Sequence, residues 1–277
     1  MSIQIPSECF GDGDSSLYFL HANGYPPSVY TPLFSCLPEY TIQSMLLRPH
    51  WPALIPPSLR NWDPFVDDVH SFLKERQEVD VVVGHSIGAT LWLLAAMRGL
   101  CRPRKMILID PAIFSYPVFF GYSFFWLLGL HRRVHPYINR TLKRRTCFDS
   151  MEDVFCQYRK KRVFKYFSDE SLRYYIESIF VTSTNGVSLA FDVKWEAKIY
   201  ETGVWHAPYI WRNLKEIDSD ILLIYGQYSD VISESMVNRF RKSCPQFRAI
   251  RCEEATHLLP LEYPRRMAEY IREFIAK

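Results

Sequence analysis

The sequence predicts an α/β fold, a mostly parallel central sheet flanked by helices, with a helical cap inserted into it. Three observations carry that expectation. Short apolar, β-branched runs alternate with helical patterns towards both ends of the chain, the rhythm of parallel strands joined by crossover helices. One such unit sets a strand, a glycine-flanked turn and an apolar helix in direct succession around Ser86. From about Ala112 to Leu214 the alternation stops, and aromatic, basic and helical segments replace it. The expected division is a core of residues 1–111 and 215–277 and a cap of five or six helices over 112–214.

Taken in order, Leu17-Tyr18-Phe19-Leu20 reads as an early strand, and His21-Ala22-Asn23-Gly24-Tyr25-Pro26-Pro27 as the tight loop after it. The prolines between Pro49 and Pro64 predict an irregular loop, followed by a helix over about 62–76. Val79-Asp80-Val81-Val82-Val83 is a buried strand by its β-branched composition, and residues 89–97 are a buried helix. Lys105-Met106-Ile107-Leu108-Ile109 is the next strand, ending at Asp110. Ile221-Leu222-Leu223-Ile224-Tyr225 runs into a glycine turn and Asp230. Phe247 to Cys252 is strand-like, and an amphipathic helix closes the chain over about 264–276.

The join at Gly84-His85-Ser86-Ile87-Gly88 has the pattern G-x-S-x-G in the context that gives it meaning. A strand-to-helix turn this sharp holds a serine in a strained conformation with its Oγ above the sheet. The flanking glycines leave out side chains that would strike the neighbouring strand and helix. A serine hydroxyl is a weak nucleophile and needs a base, an orienter for the base and an oxyanion hole. Among eight histidines, His257 lies on the loop between the last strand and the last helix, where it can meet such a serine. Asp230 is the preferred partner for its Nδ1–H. Asp110 competes, but Pro111-Ala112 behind it reads as a turn, and its carboxylate as a cap on local amides. The oxyanion donors expected are the main-chain N–H groups of Ile87 and Asn23. His21, Gly24 and His85 are expected on the wall of the substrate pocket.

With these residues in place the chain resembles the α/β-hydrolase superfamily. His21-Ala22-Asn23-Gly24, Gly84-His85-Ser86-Ile87-Gly88, Asp230 and His257 carry the resemblance, in the superfamily's order Ser, Asp, His. It implies the α/β-hydrolase fold and a cap inserted after the sixth strand. Ala22 departs from the commoner His-Gly-x-Pro form of the first motif, and Ala89 stands where a further glycine often follows. A serine nucleophile disfavours the dehalogenase and epoxide hydrolase branches, which use aspartate.

The chain has 277 residues, enough for one such domain with an insertion. Aromatic content, at 16 %, is concentrated in the middle of the chain and suits a cap over an apolar cleft. Net charge is only +3, and no recognition module accompanies the basic runs, so no nucleic-acid partner is expected. Seven scattered cysteines without a C-x-x-C pair predict free thiols in a reducing compartment. The N-terminus has no basic-then-apolar signal, so the expected location is cytoplasmic. No metal or cofactor is expected, since neither G-x-G-x-x-G nor a P-loop is present.

Residues 112–130 carry no charge. Pro117 and Gly121 are expected to break this run into short pieces, making it a cap helix over an acyl pocket, or a lid that also touches a membrane surface, rather than a span. The basic runs at 131–145 and 159–162 read as solvated helix faces or as an attraction for anionic substrates or lipid headgroups. The function these features predict is a serine esterase for small-molecule esters with an apolar acyl group. Alternatives that keep the same residues are C–C bond, lactone or thioester hydrolysis. A ligand-binding member of the fold without turnover is the non-enzymatic alternative.

Overall fold

The structure is a computed structural model that describes residues 5–51, 59–74, 76, 79–184 and 186–277. Part of the predicted proline-rich loop, residues 52–58, and the first four residues lie outside the described residues. Seven strands form the main sheet in the order β1-β3-β2-β4-β5-β9-β10. They are β1 (Ser7–Phe10), β2 (Ser15–Leu20), β3 (Tyr40–Met45), β4 (Val81–His85), β5 (Lys105–Ile109), β9 (Asp220–Gly226) and β10 (Phe247–Cys252). Only β1 runs antiparallel, against β3, and every other pair is parallel.

The two faces of the sheet are separated by the period of two along each strand. Tyr18, Leu20, Val82, Met106, Leu108, Ile221 and Leu223 look to one face. Leu17, Phe19, Val81, Val83, Ile107, Ile109, Leu222 and Ile224 look to the other. Both faces of the central strands are covered, which is why those strands read as unbroken apolar runs. Helices α2 (Asp63–Leu73), α3 (Ile87–Met97) and α11 (Glu234–Ser243) cover the first face. Helices α1 (Thr31–Phe34) and α13 (Pro264–Ile275), with the short α12 (Leu259–Glu262), cover the second.

Three features mark the insertion. It follows β5, the fifth strand among the described residues. It is mostly helical but not wholly so: β6 (Cys147–Phe148), β7 (Phe180–Ser183) and β8 (Gly186–Leu189) form a second, antiparallel sheet in the order β6-β8-β7. Strands this short carry too few residues to display a period. Nor does it have a core of its own among the described residues. Helices α7 (Met151–Arg159) and α8 (Asp169–Ile179) join the second face of the main sheet, and α9 (Val193–Thr202) and α10 (Ala207–Asn213) join the first. Leu214 packs in that same cluster, so the expected boundary there falls inside a continuous core.

The remaining helices are α4 (Tyr116–Leu127), α5 (His131–Val134) and α6 (Ile138–Leu142). Pro117 and Gly121 do not break α4. Pro117 sits in its first turn, where a missing N–H costs nothing, and a side chain at Gly121 would meet open space. Among the described residues no helix is long and apolar enough to cross a membrane.

The tightest join lies where α3 crosses β2. A Cβ on Gly88 would stand 2.1 Å from the Leu20 carbonyl oxygen and 2.8 Å from that of His21. Neither atom is at the end of a movable side chain. Gly88→Ala is therefore expected to lower folding stability by about 3 kcal/mol, measured by urea denaturation.

Candidate active site

Ser86 occupies the single residue between β4 and α3, with φ 56° and ψ −119°. Its N–H donates to the Ile109 carbonyl at 2.9 Å, and its own carbonyl accepts from Ala112 N–H at 3.1 Å. The strained backbone is thus fixed from the neighbouring strand β5. Gly84 is required as Gly88 is, since its Cβ would lie 2.5 Å from the Ala89 nitrogen.

His257 approaches from the loop after β10, its Nε2 3.0 Å from Ser86 Oγ. Its Nδ1 lies 2.6 Å from Asp110 Oδ2. A carboxylate only accepts, so Nδ1 carries the proton and Nε2 is left to accept from the serine hydroxyl. Asp110 is fully buried at the end of β5 in a left-handed conformation, φ 42°. The same Oδ2 accepts from the Ser229 hydroxyl at 2.7 Å. Burial pushes the Asp110 carboxyl above the ordinary carboxylate range, against the pull of His257. Burial also pushes the His257 imidazole down, but the hydrogen bond and charge of Asp110, with Asp230 and Glu262 beyond, outweigh it and leave the pKa raised.

Asp230, preferred from the sequence, is not at His257. It is exposed, and it accepts from the Tyr137 hydroxyl of the insertion. The reason lies in the path of the last loop. A Cβ on Gly226 would stand 2.4 Å from the Thr256 carbonyl oxygen, so the loop crosses directly over the end of β9. His257 is carried past β9 to β5, and the carboxylate within reach belongs to Asp110. From β9 the site receives Ser229, whose hydroxyl accepts from Val231 N–H at 3.1 Å and donates to Asp110. Its only trace in the sequence is its place in the turn after β9. Glu262 was equally hidden: it holds the crossing loop by accepting from Thr256 N–H at 2.8 Å.

The turn after β2 closes through Tyr25 N–H to the Ala22 carbonyl at 3.1 Å, with Gly24 at φ 78°. This is the pattern of a type II turn, which needs glycine at that place. No hydrogen bond among the described residues uses the main-chain N–H of Asn23 or of Ile87. The Asn23 side chain donates to the Glu196 carbonyl at 3.1 Å, so α9 of the insertion braces the turn. The Glu196 carboxyl is buried beside Gly24 and paired with Arg144.

His21 and His85, expected on the pocket wall, are fully buried and bound to other groups. His21 Nε2 accepts from Leu47 N–H at 3.0 Å, and Nδ1 donates to the Ala22 carbonyl at 2.9 Å. Burial lowers its pKa to about 4 and keeps it neutral. His85 Nε2 donates to the His257 carbonyl at 2.8 Å, leaving Nδ1 to accept from the Tyr30 hydroxyl at 2.7 Å. The Tyr30 oxygen accepts in turn from Ala22 N–H at 3.1 Å. One buried chain of hydrogen bonds therefore links the turn after β2, the residue before Ser86 and the main chain of His257. Gly24 contributes backbone geometry rather than a wall. No group of three or more His, Cys, Asp or Glu among the described residues is placed to hold a metal ion.

The family model of the alpha/beta hydrolase family matches residues 17–270, nearly the whole chain. The protein belongs to the alpha/beta hydrolase family. Solved structures of the same fold include E-2-(acetamidomethylene)succinate hydrolase, with TM-score 0.74 and 16 % identity over 98 % of this chain and 94 % of that one. The thioesterase domain from the curacin biosynthetic pathway has TM-score 0.72 and 16 % identity, over 96 % of this chain and 94 % of that one. The enol-lactonase from Burkholderia xenovorans LB400 has TM-score 0.65 and 15 % identity, over 99 % of this chain and 96 % of that one. At such identities the likeness is one of fold. No curated protein matches by sequence.

Two outcomes test this geometry in the alpha/beta hydrolase site without reference to turnover. Asp110→Asn is expected to abolish the far-downfield proton resonance of His257 Nδ1–H, and Asp230→Asn to leave it, in proton spectra at low temperature. Tyr30→Phe removes the shared hydroxyl and strands the Ala22 N–H and the His85 nitrogen. It is expected to cost about 2–3 kcal/mol in chemical denaturation.

Proposed function

We propose that this protein is a serine esterase that cleaves carboxylic esters through an acyl-enzyme. The observation that carries the reading is the series Ser86 Oγ, His257 Nε2, His257 Nδ1 and Asp110 Oδ2, joined by contacts of 3.0 and 2.6 Å. In this reading Ser86 Oγ attacks the ester carbonyl while His257 takes its proton. Asp110 holds the imidazole in the required tautomer and balances its charge. The free N–H groups of Asn23 and Ile87 stabilise the developing oxyanion. His257 returns its proton to the departing alcohol, then draws one from a water that releases the acid and restores Ser86.

The aromatic content of the insertion favours an apolar acyl group. Thioesters and lactones pass through the same tetrahedral intermediate, and two of the proteins of like fold are named for such reactions.

The reading is tested on p-nitrophenyl esters of rising chain length. Ser86→Ala and Asp110→Asn are each expected to lower kcat by about four orders of magnitude, and Asp230→Asn by less than about tenfold. Near-normal turnover by the folded Ser86→Ala protein removes the proposal. The base must be neutral to act, and its pKa is raised above the ordinary histidine value. The acidic limb of kcat/KM is therefore expected to rise with pH through a midpoint above about 6.5.

A further inference from the structure

We infer that α4, with the basic segment after it, docks this protein onto the surface of an anionic lipid bilayer. Phe120, Phe124, Leu127 and Leu128 are 65, 58, 84 and 55 % exposed. Their spacing places them on one face of the helix. The opposite face is firmly seated. Phe119, Tyr122 and Trp126 pack against Trp205, with ring centroids 6.0, 6.1 and 5.3 Å away. Tyr122 also donates to the Glu201 carbonyl at 3.0 Å. The apolar stripe is thus held outward by a fixed inner face, and large contiguous patches of this kind mark interaction surfaces.

Charge decides the partner. No carboxylate stands in the sequence between Asp110 and Asp149, while the same stretch holds six arginines and lysines. Arg133, Arg140 and Lys143 are exposed, and none enters an ion pair among the described residues. An apolar stripe followed by uncompensated cations complements acyl chains beneath anionic headgroups. A second copy of the chain is the poorer occupant, because a two-fold interface through this face would bring the same cations together. The helix has 12 residues, roughly 18 Å at the α-helical rise, so it would lie in the interface rather than cross a core of about 30 Å.

The segment is tied at both ends to loops of the site. Ala112 N–H donates to the Ser86 carbonyl before the helix, and Tyr137 donates to Asp230 after it. Docking would hold the site beside the lipid surface, where an apolar substrate is concentrated. The docking itself does not depend on the esterase reading.

Vesicle flotation tests the inference with the intact chain. Binding is expected to phosphatidylcholine vesicles containing phosphatidylglycerol, about tenfold or more above pure phosphatidylcholine. Phe120→Ser, Phe124→Ser and Leu127→Ser together are expected to weaken it about a hundredfold. Arg133→Gln, Arg140→Gln and Lys143→Gln together should erase the preference for the anionic lipid. An unchanged melting temperature shows that each variant folds. Absence of flotation by the wild-type protein, or binding that survives the serine substitutions, overturns the inference. So does a solution dimer that those substitutions dissociate, which would assign the face to a second copy.

Discussion

The hydrogen bond between Asp110 and His257 governs the layout of the whole carboxyl edge of the sheet. A carboxylate with no exposed surface is costly, and it is tolerable only where donors meet it with good geometry. Those donors come from two other loops, Ser229 after β9 and His257 after β10. The loop after β10 has to cross β9 to arrive, which forbids a side chain at Gly226. The imidazole must then be aligned with Ser86 just after β4, and its main chain is fixed by His85 next to that serine. Through Tyr30 the same restraint reaches the turn after β2. One buried charge therefore couples five strand ends.

The insertion takes part in this coupling. It shares both apolar clusters of the main sheet, so it is an outgrowth of the core rather than a separate body resting on it. Among the described residues it also meets the site at three polar points: Ala112 N–H on the Ser86 carbonyl, Glu196 behind the turn that carries Asn23, and Tyr137 on Asp230. A shift of α9 would be felt at the Asn23 amide through a single hydrogen bond.

Much of this is legible in the sequence, because the most constrained parts carry the loudest signals. The strand–glycine–serine–glycine–helix sequence announces its own geometry, since only glycine fits at positions 84 and 88. The central strands are recognisable by being apolar on both faces. The carboxylate beside His257 is misjudged from the sequence for a physical reason. Asp110 and Asp230 both follow strands, and the choice between them turns on the route of a loop, which is a tertiary fact. Ser229, Glu196 and Glu262 escaped because a polar residue in a turn or helix looks the same whether it braces a site or meets water. The three short strands of the insertion escaped because two to four residues cannot display a period. Pro117 misled because proline is judged a breaker, whereas its effect depends on the turn in which it falls.

The placement of the buried carboxylate on β5 leaves an unusual liberty elsewhere. With Asp110 supplying the carboxylate, the loop after β9 owes the site one hydroxyl, that of Ser229, and its neighbour Asp230 is turned outward to the insertion. The side chain at 230 can then change size without breaking the hydrogen bonds that join Asp110, Ser229, His257 and Ser86. Descendants of this chain could diversify that exposed position by mutation while Ser86, His257 and Asp110 stay in register. A family that kept this carboxylate on the loop after β9 would lack that separation, since each change in the loop would also move it.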